Sequence, residues 1–175
     1  MKRFKFKLYV TYIRPHTARA LNKLFERVQP TKSTLWASYK HLPMYVFSHK
    51  INEYEYSSDL LGGAIDHAFS YDNPNKFFDG LHYGQDCDNW ARIWSIWGEF
   101  NGYKAQEVVV TTKEHVVKDA HVVTILEKDG AFWCMNYRPY GSFPLFNEAV
   151  EAVCIWKKYN KDNLLWLPYN ALRRT

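Results

Sequence analysis

The chain of 175 residues is 47% hydrophobic with a formal net charge of +5, enough for one domain, 1–175, with a sizeable core. No apolar run approaches the roughly 18 residues of a membrane span, and MKRFKFKLYV carries no long apolar signal core. Three cysteines, an odd number with no framework spacing, argue against a disulfide scaffold and for a reduced, cytoplasmic setting.

Phe4, Phe6, Leu8, Val10 and Tyr12 recur at alternate positions, which predicts a strand with one buried face; Pro15 ends it. Ala20, Leu21, Leu24, Phe25 and Val28 form one stripe of an amphipathic helix over 17–28. Leu35 to Tyr39 and Tyr45 to Phe47 are short apolar pieces, interrupted by Pro43 and a polar stretch at 48–56. Asp59 can cap a short helix continued over 64–69, weakened by Gly62-Gly63, and 71–75 is a turn cluster. No motif in the first 80 residues carries chemistry, so they are expected to form one wall of any site.

The stretch GQDCDNWARIWSIWGEFNG, 84–102, is different. Asp86 can cap a helix by accepting from first-turn N–H groups. Cys87 follows in that turn, where unpaired N–H groups and the helix dipole favour a thiolate. Cys87, Trp90, Ala91, Trp94 and Trp97 share one face, and Asn101-Gly102 is a C-terminal stop. A cysteine so placed is either a small buried residue or a nucleophile aimed into a cleft. At helical spacing the three tryptophans are core rather than a stacking platform.

Residues 104–112, with Val108-Val109-Val110, read as a strand, followed by a polar loop. The runs 120–127 and 131–137 are strands joined by Asp129-Gly130, whose type I′ turn needs positive φ at both positions. The loop 139–144, an amphipathic helix over 146–156 and an apolar tail over 164–172 complete the chain. A two-residue turn pairs Lys128 with Ala131, which sets Val123 opposite Asn136 and His121 opposite Arg138. His121 and Asn136 then point to the same face as diagonal neighbours, within side-chain reach. Cys134 shares that face. A thiol needs a base, and the base needs a group that fixes its tautomer; Cys87, His121 and Asn136 are the right types.

Cys87 opening a helix, Gly102-Tyr103 closing it, a strand through Val108–Val110, then His121-Val122-Val123 and Gly130 to Asn136, resembles the transglutaminase-like superfamily. The match is nearest to its bacterial cysteine-proteinase branch, whose Gly-Asp-Cys stands here as Gly84-Gln85-Asp86-Cys87 with one residue inserted. It covers roughly 80–140, the expected catalytic core region. That family usually has Asp in the third role; Asn136 stands here, as in papain-like enzymes. The resemblance implies an α+β, papain-like fold with the Cys-bearing helix packed on an antiparallel sheet. It also implies Cys87 as nucleophile, His121 as base and Asn136 as the group that orients the ring. The activity implied is amide hydrolysis or acyl transfer through a thioester on a protein or peptide substrate. The oxyanion donors expected are the Cys87 backbone N–H and one upstream group, Gln85 or Tyr83.

Two other classes stay open. One is a catalytically silent scaffold, whose basic ends MKRFKFK and ALRRT meet an acidic protein or a nucleic acid. No nucleic-acid motif accompanies those ends. The other is a cell-wall amidase of the NlpC/P60 type, which also opens a helix with Asp-Cys but continues Ser-Gly where this chain has Asp88-Asn89. His82, Asp86, Cys87, Asp88 and His121 form no CxxC or HExxH pattern, so no metal is expected. No cofactor is expected either: P-loop, GxGxxG and GxSxG motifs are absent from the sequence.

Overall fold

The computed structural model describes residues 32–54, 73–79, 86–114 and 120–169. The strand expected near the N-terminus, the helix over 17–28, the segment 55–72, and His82, Tyr83 and Gln85 lie outside these residues. Among the described residues, no helix is long and apolar enough to cross a membrane.

The apolar pieces after residue 34 are short helices, α1 (Leu35–Tyr39) and α2 (Met44–Ile51). Pro43 precedes α2 with φ −54° and ψ 150°, a position where its missing N–H costs nothing. Helix α3 (Asn75–Phe78) follows, and the Asp79 carboxylate after it accepts from the backbone N–H groups of Lys32 and Ser33. Helix α4 (Cys87–Phe100) forms where the periodicity places it. Gly102, at φ +78°, supplies the left-handed residue that ends it. Trp90, Trp94 and Trp97 are buried and pack on Phe77 and Phe47, with ring centroids 5.2 Å apart for Phe77–Trp90 and for Phe47–Trp94. Each such pair adds about 0.5–1.5 kcal/mol beyond its buried area.

The sheet is five-stranded and antiparallel, in the order β4-β3-β2-β1-β5. Strand β1 (Lys104–Thr112) pairs with β2 (His121–Lys128), and β2 pairs with β3 (Ala131–Met135). The β2–β3 register is Lys128↔Ala131 through Thr124↔Met135, as the turn length requires. Asp129 and Gly130 sit at φ 52° and 77°, the type I′ geometry.

Three local expectations change. The segment after β3 is not a loop but β4 (Pro139–Phe143), an edge strand with a bulge between Phe132 and Cys134 in its partner register. Pro139 and Gly141 disguise it, and an edge is where a sheet tolerates proline. The long second helix is two, α5 (Phe146–Glu151) and α6 (Val153–Lys157). They are divided at Ala152, whose φ −55° and ψ −24° and acceptance from Ile155 N–H are those of a 3₁₀ turn. The apolar tail contains β5 (Leu164–Pro168), hydrogen-bonded along β1.

Helix α4 lies on one face of the sheet. The Leu126 side chain fills the space where a Gly98 Cβ would stand, the Thr124 hydroxyl donates to the Ala91 carbonyl, and Val122 packs on Ala91. The other face carries Val123, Ile125 and Cys134 against Ala149, Val150 and Val153 of α5 and α6. The architecture is α+β: one antiparallel sheet between the cysteine-bearing helix and a second helical layer.

Candidate active site

Asp86 caps α4. Its Oδ1 accepts from the Asp88 N–H at 3.1 Å, and its side chain is buried. Cys87 is the first helical residue and half-buried. Its Sγ lies 3.8 Å from Asp86 Oδ2. Two fields therefore oppose one another at the sulfur. The helix N-terminus favours the thiolate, and the neighbouring carboxylates of Asp86 and Asp88 disfavour it. Cys87 packs against Ala91, Val109, Val122 and Tyr169.

His121 begins β2 and is 3% exposed. Its Nε2 lies 3.0 Å from Asn136 Oδ1, which can only accept, so Nε2 carries the proton and Nδ1 the lone pair. The diagonal pairing read from the hairpin is thus realised in the side chains. Burial and the Lys157 charge push the ring down to about 3, opposed by the Asn136 hydrogen bond and the Asp88 charge. The imidazole is neutral at neutral pH. Its ring lies edge-on to Trp156 of α6, with centroids 5.0 Å apart. Asn136 Nδ2 and Trp156 Nε1 are buried donors with no hydrogen-bond partner among the described residues.

Helix α4 runs parallel to β2. Gly98 meets Leu126, and Ala91 meets Thr124 and Val122, so Cys87 is carried to the end of β2 where His121 stands. Tyr137 spans the gap, its ring 5.4 Å from Trp90 and 6.3 Å from His121. The faces differ, however. Val122, Thr124 and Leu126 look toward α4, whereas His121 follows the alternate set with Val123 and Ile125 and meets α6. The structure joins His121 to Asn136 directly and brings Cys87 toward the same end of β2 from the opposite layer.

Cys134 is fully buried on the His121 face, where burial pushes its thiol up to about 12. Cys154, inside α6, is half-buried, its thiol raised by partial burial and by Glu151. Ligand atoms of Asp86, Cys87 and Asp88 lie within 4.8 Å of one another, but the Asp86 and Asp88 carboxylates are taken up by the helix cap and by the Tyr169 hydroxyl. Tyr169, Tyr137 and Trp156 were not singled out from the sequence. Each reaches the site from a separate element, and no local spacing marks such a contact. A groove of about 430 Å³ lined by Ile125, Phe132, Phe146 and Trp166 opens on the sheet face away from α4.

No family model matches the chain, and neither a curated protein nor a solved structure shows significant similarity to it.

Proposed function

We propose that the chain is a cysteine-dependent hydrolase or acyl-transferase acting on an amide bond of a protein or peptide, with a papain-like, transglutaminase-like arrangement of Cys87, His121 and Asn136. The observation that carries this reading is the buried 3.0 Å contact of His121 Nε2 with Asn136 Oδ1. It leaves Nδ1 as the basic nitrogen, at the end of β2 toward which α4 carries a first-turn cysteine from the opposite layer.

In this reading the resting pair is neutral, thiol and imidazole, because the ring is held far below its ordinary value. Nδ1 takes the thiol proton as sulfur attacks the carbonyl carbon. Asn136 and the Asp88 charge support the imidazolium while it exists. The Cys87 backbone N–H, in the first turn of α4, faces the developing oxyanion. The imidazolium then protonates the leaving amine, and a thioester remains. Water completes a peptidase or deamidase cycle, and an amine completes a crosslink.

The test is alkylation of the native protein with iodoacetamide across pH, followed by peptide mapping. Cys87 reacts ahead of Cys154 and Cys134, and His121→Ala alters its pH profile. Ammonia release from glutamine peptides separates deamidation from cleavage, and activity on peptidoglycan fragments alone would indicate a wall amidase of the NlpC/P60 type.

A second reading, a silent scaffold that binds an acidic partner through its basic ends, is favoured by one observation. His121 meets Trp156 on the sheet face opposite α4. Equal, slow labelling of Cys87 and Cys154, unaffected by His121→Ala, would select it.

A further inference from the structure

Tyr169, the residue after β5, is 1% exposed, and its hydroxyl donates to Asp88 Oδ2 at 3.0 Å across 81 positions of sequence. Its backbone N–H donates to the Glu107 carbonyl on β1 at 2.8 Å, which fixes the residue at both ends. Its ring packs in the cluster of Ala91, Val109 and Val122 that also receives Cys87. A carboxylate oxygen of Asp88 lies within 4.8 Å of the Cys87 sulfur. A chain segment far from the nucleophile helix thus ends on a carboxylate beside the thiol.

We propose that Tyr169 is a positioning residue for Cys87, setting the ionisation of the thiol by taking up charge of the Asp88 carboxylate through its hydroxyl. The inference deepens the proposed role of Cys87 and rests on it. An ionised carboxylate beside a thiol opposes the thiolate, and a hydrogen bond donated to that carboxylate draws part of its charge away. Among the described residues, the charged and titratable groups facing the thiol are Asp86 and Asp88 on its own turn and Tyr169 after β5; His121 on β2, with Lys157 of α6 acting on it, lies on the opposite face of the sheet and senses the same Asp88 charge. Arg92 and Glu107 pair with each other one turn along α4, at 3.1 Å. Among the described residues, Cys87 also packs on the apolar cluster that holds Val109, Val122, Leu165 and Leu167.

The experiment compares the pH midpoint of Cys87 alkylation in the full chain, as wild type, Tyr169→Phe, Asp88→Asn and the double variant. Tyr169→Phe is expected to raise the midpoint by about half a pH unit. Asp88→Asn lowers it, and Tyr169→Phe has no further effect once Asp88 is neutral. A merely structural role for Tyr169 would give the same shift in both backgrounds and would overturn the proposal, as would no shift at all in a variant with wild-type near-UV circular dichroism. If Tyr169→Phe does not fold, Asp88→Asn alone decides, since an unmoved midpoint removes the charge the proposal requires. Coupling between Tyr169 and Asp88 at a Cys87 that reacts no faster than Cys154 supports the electrostatic link and counts against the nucleophile.

Discussion

His121 Nε2 donates to Asn136 Oδ1 across 3.0 Å, and both side chains are buried on the sheet face that carries α6. The bond fixes the tautomer, and burial fixes the charge. The folded ring sits at about 3 against an ordinary 6.5. Above the ordinary value both folded and unfolded chains hold a neutral ring, and the group contributes nothing to pH dependence. Below it the unfolded chain binds a proton that the folded chain refuses, so stability is lost as pH falls from 6.5 toward 3. Urea unfolding at about pH 7 and about pH 4.5 should show wild type losing roughly 2–3 kcal/mol more than His121→Gln over that interval. Equal losses would mean that the ring protonates in the folded state.

Cys134 supplies an internal control. Its thiol is fully buried and pushed up to about 12, so it is inert in the native protein at neutral pH. Labelling of Cys134 should appear only at urea concentrations that unfold the sheet, and its rate should follow the global unfolding transition. Native labelling of Cys134 would show that β3 opens locally.

Asp86 carries two opposed effects that substitution can separate. Asp86→Ala removes the cap on Asp88 N–H and should cost about 1 kcal/mol in chemical denaturation. Asp86→Asn keeps an acceptor and should cost less. It also removes a charge 3.8 Å from the Cys87 sulfur, so alkylation at neutral pH should quicken. Slower alkylation in a folded Asp86→Asn would mean that the carboxylate helps the thiolate rather than opposing it.

Gly98 marks the closest approach of α4 to the sheet. A Cβ there would overlap the buried side chain of Leu126. Alanine is the better helix former, yet Gly98→Ala should destabilise by about 1–3 kcal/mol because the core is overpacked. Combined with Leu126→Ala, the loss should fall well short of the sum of the single losses, a coupling that thermal or urea unfolding of the four proteins measures.

The sequence by itself determined the parts whose physics is local. Asp86, Cys87 and Asn101-Gly102 bound a helix through capping and a left-handed stop, and the structure keeps those ends. Asp129-Gly130 allows one turn type, that turn allows one register, and the register alone put His121 beside Asn136. Strand β4 was hidden because proline and glycine read as loop wherever the neighbouring strand is out of view, and an edge strand draws its stability from that neighbour. Only the tertiary structure decided that α4 covers the face of Val122, Thr124 and Leu126, that Trp156 covers the face of His121, and that Tyr169 reaches Asp88. Alternation tells which residues share a face but not which layer covers it. That choice is made by packing between elements 30 to 80 positions apart, where no spacing rule operates.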